Sequence, residues 1–200
     1  IIGSGTLAVR SPSGRTATLT LSGATVSATI GAGTGDGGGS SNPSFYMDNN
    51  STLTGLTINI TRSGTGVGKS AMGVVAKDIS GATISGNTIT GTETGNSVGV
   101  GILLSSATNI TVSNNTLTGT TSAGAYAYAL GLIGTTTTAT VTGNTLNASG
   151  GSTGNYFTFL NATTLTINSG STGNVKGSGT CSSAGAITGS ISYTDGSTCP

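Results

Sequence analysis

Short bursts of strict alternation punctuate this chain. In Thr83-Ile84-Ser85 one aliphatic residue stands between two polar ones, and after Gly86-Asn87 the arrangement returns as Thr88-Ile89-Thr90. Alternation of period two puts the aliphatic side chains on one side of a strand and the polar ones on the other, so each burst predicts a short, half-buried strand. Gly and Asn tolerate the left-handed backbone that a sharp bend between two such strands needs. The whole phrase recurs as Val112-Ser113-Asn114-Asn115-Thr116-Leu117-Thr118 and as Val141-Thr142-Gly143-Asn144-Thr145-Leu146-Asn147, 28 and then 29 residues further on. A polar, Gly-rich loop follows each phrase. Then comes a longer, more apolar strand: Met72 to Ala76, Val98 to Leu104, Tyr126 to Ile133 and Tyr156 to Leu160. Three strands and three corners in each repeat predict one coil of a parallel β-solenoid. A propeller blade needs about 40 to 50 residues, so the period is too short for one.

Thr-aliphatic pairs ending in Val26, Ile58, Ile84, Val112, Val141 and Ile167 set the count at about six coils, in steps of 26 to 32 residues. Stacked coils place like residues above like, about 4.8 Å apart. The columns Ile84/Val112/Val141 and Ile89/Leu117/Leu146 are then the expected core. Asn87, Asn115 and Asn144 are expected to form an amide ladder at the bend. The reading is a single all-β domain over 1–200. Residues 1–30 make an N-terminal cap or first coil, 31–50 a Gly-rich loop, 51–175 the central coils and 176–200 a C-terminal cap.

The phrase Ile-Ser-Gly-Asn-Thr-Ile, with its Asn at the bend, resembles the repeat of right-handed parallel β-helix proteins. That group includes pectate lyases, tailspikes and surface passenger domains. The resemblance covers roughly residues 16–175 and is most specific over the middle three coils. It implies the fold, a right-handed parallel β-helix, far more strongly than any one activity, because that fold hosts lyases, adhesins and inert stalks alike.

Composition narrows the partners. Of 200 residues 36 are Gly and only 6% are charged, with a net charge of +1. The six basic residues are scattered, which removes the electrostatic footprint of a nucleic-acid binder. No apolar run approaches the roughly 20 residues of a membrane span. The start Ile1-Ile2-Gly3 reads as a mature product or an excised fragment. Two cysteines, Cys181 and Cys199, close together in a Thr-rich chain predict a disulfide that staples the C-terminal cap, and with it an oxidising, extracellular or cell-surface setting. A metal site is not expected, and neither is a cofactor: the chain has no His.

Candidate chemistry is sparse. Sugar-cleaving enzymes on the resembled fold use clustered carboxylates with basic residues nearby. The one grouping here is Lys77, Asp78 and Glu93 with Lys69, and its residues read as solvated turn positions, so no catalytic residue is assigned. Tyr126 and Tyr156 fall on adjacent apolar strands and are candidate ligand contacts, since an exposed ring can stack on a sugar; Tyr126, Tyr128, Leu130 and Leu132 share one face in a regular strand, which favours the core. Thr88-x-Thr90, Thr116-x-Thr118 and Thr145-x-Asn147 form outward columns that resemble the ice-binding faces of solenoid antifreeze proteins. The leading expectation is a non-enzymatic secreted or cell-surface β-helix, an adhesin or structural stalk with glycans or host-surface components as partners. The alternatives are a polysaccharide-active module, lyase, hydrolase or tailspike-like, and an ice-binding protein.

Overall fold

Alternation with a bend every few residues can bury its aliphatic side only by stacking, and stacking is what the chain does. A computed structural model describes residues 25–30, of which only the backbone is considered, 45–62 and 70–200. It is an all-β parallel solenoid of about five turns, closed near its C-terminus by a disulfide. The strand Thr25–Ile30 begins a further coil. The expected loop at 31–50 falls mostly outside the described residues.

Each coil has three faces. Thr52–Thr54, Thr83–Ser85 and Ile110–Ser113 stack in register as a narrow face, continued by the second half of Tyr126–Thr142. Around the Gly-Asn bend lies a threonine face, Thr25–Ile30, Thr57–Arg62, Thr88–Glu93, Thr116–Thr121, Thr145–Ser149 and Val175–Lys176. After the polar loop comes an aromatic face, Phe45–Tyr46, Ala71–Lys77, Gly99–Ser105 and the first halves of Tyr126–Thr142 and Gly154–Ile167, bounded by Thr180–Thr188. All pairings along the stack are parallel. Ile84, Val112 and Val141 are fully buried in one column, and Ile89, Leu117 and Leu146 in the next.

The outer coils are offset from the sequence alignment. Ile58 pairs with Ile89, not Ile84, and Val26 pairs with Ile58, so both belong to the second column; Leu53 extends the first. Ile167 pairs with Ala139, two residues before Val141. The coils from Thr52 to Leu146 each offer two Thr-aliphatic pairs five residues apart, and in the outer coils the alignment takes the wrong one of the two, or a neighbouring position.

The bend works by the predicted route. Gly55, Gly86, Asn114, Gly143 and Gly173 precede it in successive coils, all with φ between 55° and 70°. The next residue carries the ladder. Asn87 donates its backbone N–H and its Nδ2 to Asn115 Oδ1 at 2.9 and 3.0 Å, and Asn115 does the same to Asn144 Oδ1 at 3.0 Å each. Every amide also donates back to the preceding coil, Asn115 Nδ2 to the Ile84 carbonyl at 2.9 Å. The column has a fourth member, Asn174, which accepts from Asn144 at 3.0 and 3.1 Å. Leu56, whose N–H donates to Asn87 Oδ1 at 2.9 Å, starts the column. At the far end Tyr193 takes the next position: the Thr194 N–H donates to the Asn174 carbonyl as Val175 does to Asn144, and the Tyr193 ring turns inward to plug the core. Two hydrophobic residues thus bracket four buried amides that satisfy one another.

The C-terminal cap is a two-stranded antiparallel hairpin, Ile191–Ser192 with Thr198–Cys199. Cys181–Cys199 ties it to the last strand of the aromatic face. Phe157 meets Tyr193 edge-on at 5.2 Å, and Thr158 and Tyr193 share a hydroxyl hydrogen bond of 2.8 Å. Outside the cap, Lys176 pairs with Asp195 at 2.7 Å; hydrogen bonds from Lys176 and Ser197 hold the Asp195 carboxyl well below the usual carboxylate range.

Candidate functional site

The aromatic face changes phase in mid-strand. Its parallel pairing skips one residue per coil, and the skipped residues, Gly73, Gly101, Ala129 and Phe157, stand in one column. A Cβ on Gly101 would press on the Ala129 carbonyl, so the column is tight at its Gly end. Before the skip Ala127 points inward and Tyr128 outward; after it Leu130 and Leu132 point inward. Tyr128 and Leu130 therefore do not share a face, contrary to the reading of a regular strand. The bend releases Tyr126 and Tyr128 from the core.

The released rings gather. Tyr126 and Tyr156, the two candidate contacts, stack at 6.2 Å between centroids with 25° between planes. Tyr128 lies 6.2 Å from Tyr126 and 5.8 Å from Tyr156, and it stacks almost parallel on Phe159 at 4.5 Å and 6°. All four are half-buried. Offset stacking of this kind holds the rings as one platform. Partial burial pushes the Tyr128 phenol up to about 12, and the neighbouring Tyr126 and Tyr156 add to the effect. Sequence reasoning placed Tyr128 in the core and did not pair Phe159 with it.

Beside the platform opens a groove of about 460 Å³. Ser149, Thr153, Asn155, Tyr156, Ser178 and Thr180 line it together with three glycines and Ala148. No charged side chain lines it. On the described strands of the aromatic face the only charged residue is Lys77, at the strand end away from the platform.

The grouping of Lys77, Asp78 and Glu93 does not assemble. Glu93 is wholly buried at the end of the threonine face, where Oε2 accepts from Arg62 at 3.0 Å and Oε1 from the Gly95 N–H at 2.7 Å. Lys77 and Asp78 are exposed at the opposite end of the aromatic face. Lys69 lies outside the described residues. A buried charge is tolerated when it is paired and hydrogen-bonded, which makes Glu93 a structural residue. Among the described residues, no three His, Cys, Asp or Glu side chains converge as metal ligands.

The threonine face presents the reverse character. Thr57, Thr88, Thr116 and Thr145 form one outward column, Asn59 to Asn147 the second and Thr61 to Ser149 the third. Register is unbroken through these coils. On the inner side Gly91 and Gly119 are required: a Cβ there would strike the Val100 and Tyr128 carbonyls, so the threonine and aromatic sheets meet backbone to backbone. Comparison with protein-family models, with curated proteins and with solved structures gives no match.

Proposed function

We propose that this chain is a non-catalytic recognition solenoid of the right-handed, surface adhesin or passenger type, and that it binds neutral carbohydrate on its aromatic face. The observation that carries the reading is the half-exposed platform of Tyr126, Tyr128, Tyr156 and Phe159 beside an uncharged polar groove. The C–H face of a pyranose packs on such rings, while the tyrosine hydroxyls and the Ser, Thr and Asn groups of the groove exchange hydrogen bonds with sugar hydroxyls. A uronate polymer would call for cations, and the platform has none, so the ligand class is neutral glycan. The disulfide fits an oxidising, extracellular setting. The polysaccharide-cleaving alternative loses its leading carboxylate with the burial of Glu93.

The test is a glycan array followed by calorimetry on the hits. Neutral glycans should bind, and Tyr128→Ala or Tyr156→Ala should weaken them about tenfold, or about 1.4 kcal/mol. Binding confined to acidic glycans, or unchanged by both substitutions, would overturn the reading.

A further inference from the structure

We propose that the threonine face, which meets the sugar groove at Ser149, is a second binding surface, and that its ligand is ice. Four consecutive coils from Thr57 to Ser149 place twelve outward side chains on a grid, and every one is Thr, Ser or Asn. Grid steps are set by β geometry at about 4.8 Å between coils and about 6.6 Å between alternate residues of a strand. None of the twelve makes a side-chain hydrogen bond to another described residue. The narrow face is equally rich in Ser and Thr, but half of its eight outward hydroxyls are engaged: Ser85 donates to Thr54, Thr142 to the Gly170 carbonyl, and Thr140 accepts from Asn168, while Thr52, Thr83, Thr111 and Ser113 make no such bond to a described residue. A regular array in which every outward side chain is unengaged is therefore what sets the threonine face apart from the narrow one.

The chemistry of the grid selects its ligand by elimination. It carries no cation for a phosphate backbone. It offers none of the Tyr, Trp or Arg anchors that dominate protein interfaces. It has no ring on which a sugar could stack. What it does offer, at nine of its twelve positions, is a methyl group and a hydroxyl that both donates and accepts, repeated along two axes. A ligand that satisfies all of this is uncharged, flat, periodic and hydrogen-bonding on the same scale. The surface of an ice crystal meets those terms, and each site needs to contribute little because many act together.

Ice growth is followed microscopically in supercooled solutions of the purified chain, with thermal hysteresis as the readout. The unmodified chain should shape crystals and give a hysteresis gap. Thr118→Tyr, in the middle of the grid, and Thr90→Tyr, one coil earlier, should each reduce the gap several-fold, while Thr111→Tyr on the narrow face should keep it. Circular dichroism melts identify which variants are folded, and Tyr is well suited to an outward strand position. Absence of a gap at millimolar protein, retention of the full gap by folded grid variants, or equal loss in Thr111→Tyr would overturn the proposal. Glycan binding by Thr118→Tyr should be unchanged, which separates this surface from the aromatic one.

Discussion

The threonine face and the aromatic face are carried by the same coils and joined by the same loops, yet they present opposite surfaces. On the threonine face, pairing runs without interruption and each outward column stays small, polar and uncharged. On the aromatic face, one residue per coil drops out of the ladder and the columns drift from Met72 through Val100 to Tyr128 and Tyr156. Regular pairing fixes alternation, and alternation reserves the outside for polar β-formers. A break in pairing shifts the phase and lets large rings emerge half-buried. The comparison teaches that periodicity makes a surface suited to a periodic ligand, whereas its interruption makes a local pocket.

Both surfaces hang on the amide ladder, so cutting it should abolish the difference between them. Asn115→Ala removes the acceptor of the buried Asn87 backbone N–H and the Nδ2 donor to the Ile84 carbonyl, whereas Asn87 Nδ2 keeps the Leu53 and Ser85 carbonyls. Each group that loses its partner costs about 1–3 kcal/mol, for a total of about 3 kcal/mol. Urea unfolding should report that loss, and ligand binding at both faces should fall together. A loss under about 1 kcal/mol would mean that the columns are held by apolar stacking alone.

How much of this was legible depends on which signal the residue carried. Asn87, Asn115 and Asn144 sit in a repeated phrase, and their column could be read directly. Asn174 belongs to the same column but is followed by Val175-Lys176 in place of Thr and an aliphatic, so the phrase that marks it is gone. Ile58 was misaligned because a Thr-aliphatic pair stands on both sides of its bend and the Asn that tells them apart elsewhere is missing; its coil has Leu56 there instead. The platform was legible only in part. Tyr126 and Tyr156 were visible as residues on neighbouring strands, but the phase change at Ala129 that exposes Tyr128 depends on stacking against Gly101, a contact between coils.

Alkali should act on one side of the comparison only. The threonine grid has no titratable group, whereas the phenols of Tyr128, on the platform, and Tyr193, in the cap beneath, are each pushed up to about 12 by burial. Their unfolded value is 10.0. A raised folded pKa means that the native state holds its proton more tightly. The stabilisation is complete below pH 10 and is lost as pH rises towards 12. Urea midpoints should be flat from neutrality to about pH 9.5 and then fall. In the double variant Tyr128→Phe, Tyr193→Phe the fall should be shallower. An unaltered slope would place the alkaline transition elsewhere.

The smallest effect is also the most discriminating, because it separates two faces of the same composition. Thr90 on the threonine face and Thr140 on the narrow face are both half-buried strand residues pointing outward. The Thr90 hydroxyl has no partner among the described residues, while that of Thr140 accepts from Asn168 Nδ2 at 3.1 Å. Val keeps the shape and the strand preference of Thr and deletes only the hydroxyl. Thr90→Val should therefore leave stability within about 0.5 kcal/mol, the usual range for a surface change that removes no interaction. Thr140→Val should cost about 1 kcal/mol, the net worth of one hydrogen bond. Matched thermal melts resolve that difference. Equal costs would mean that the threonine grid bonds to itself, and its hydroxyls would then not be free for a ligand.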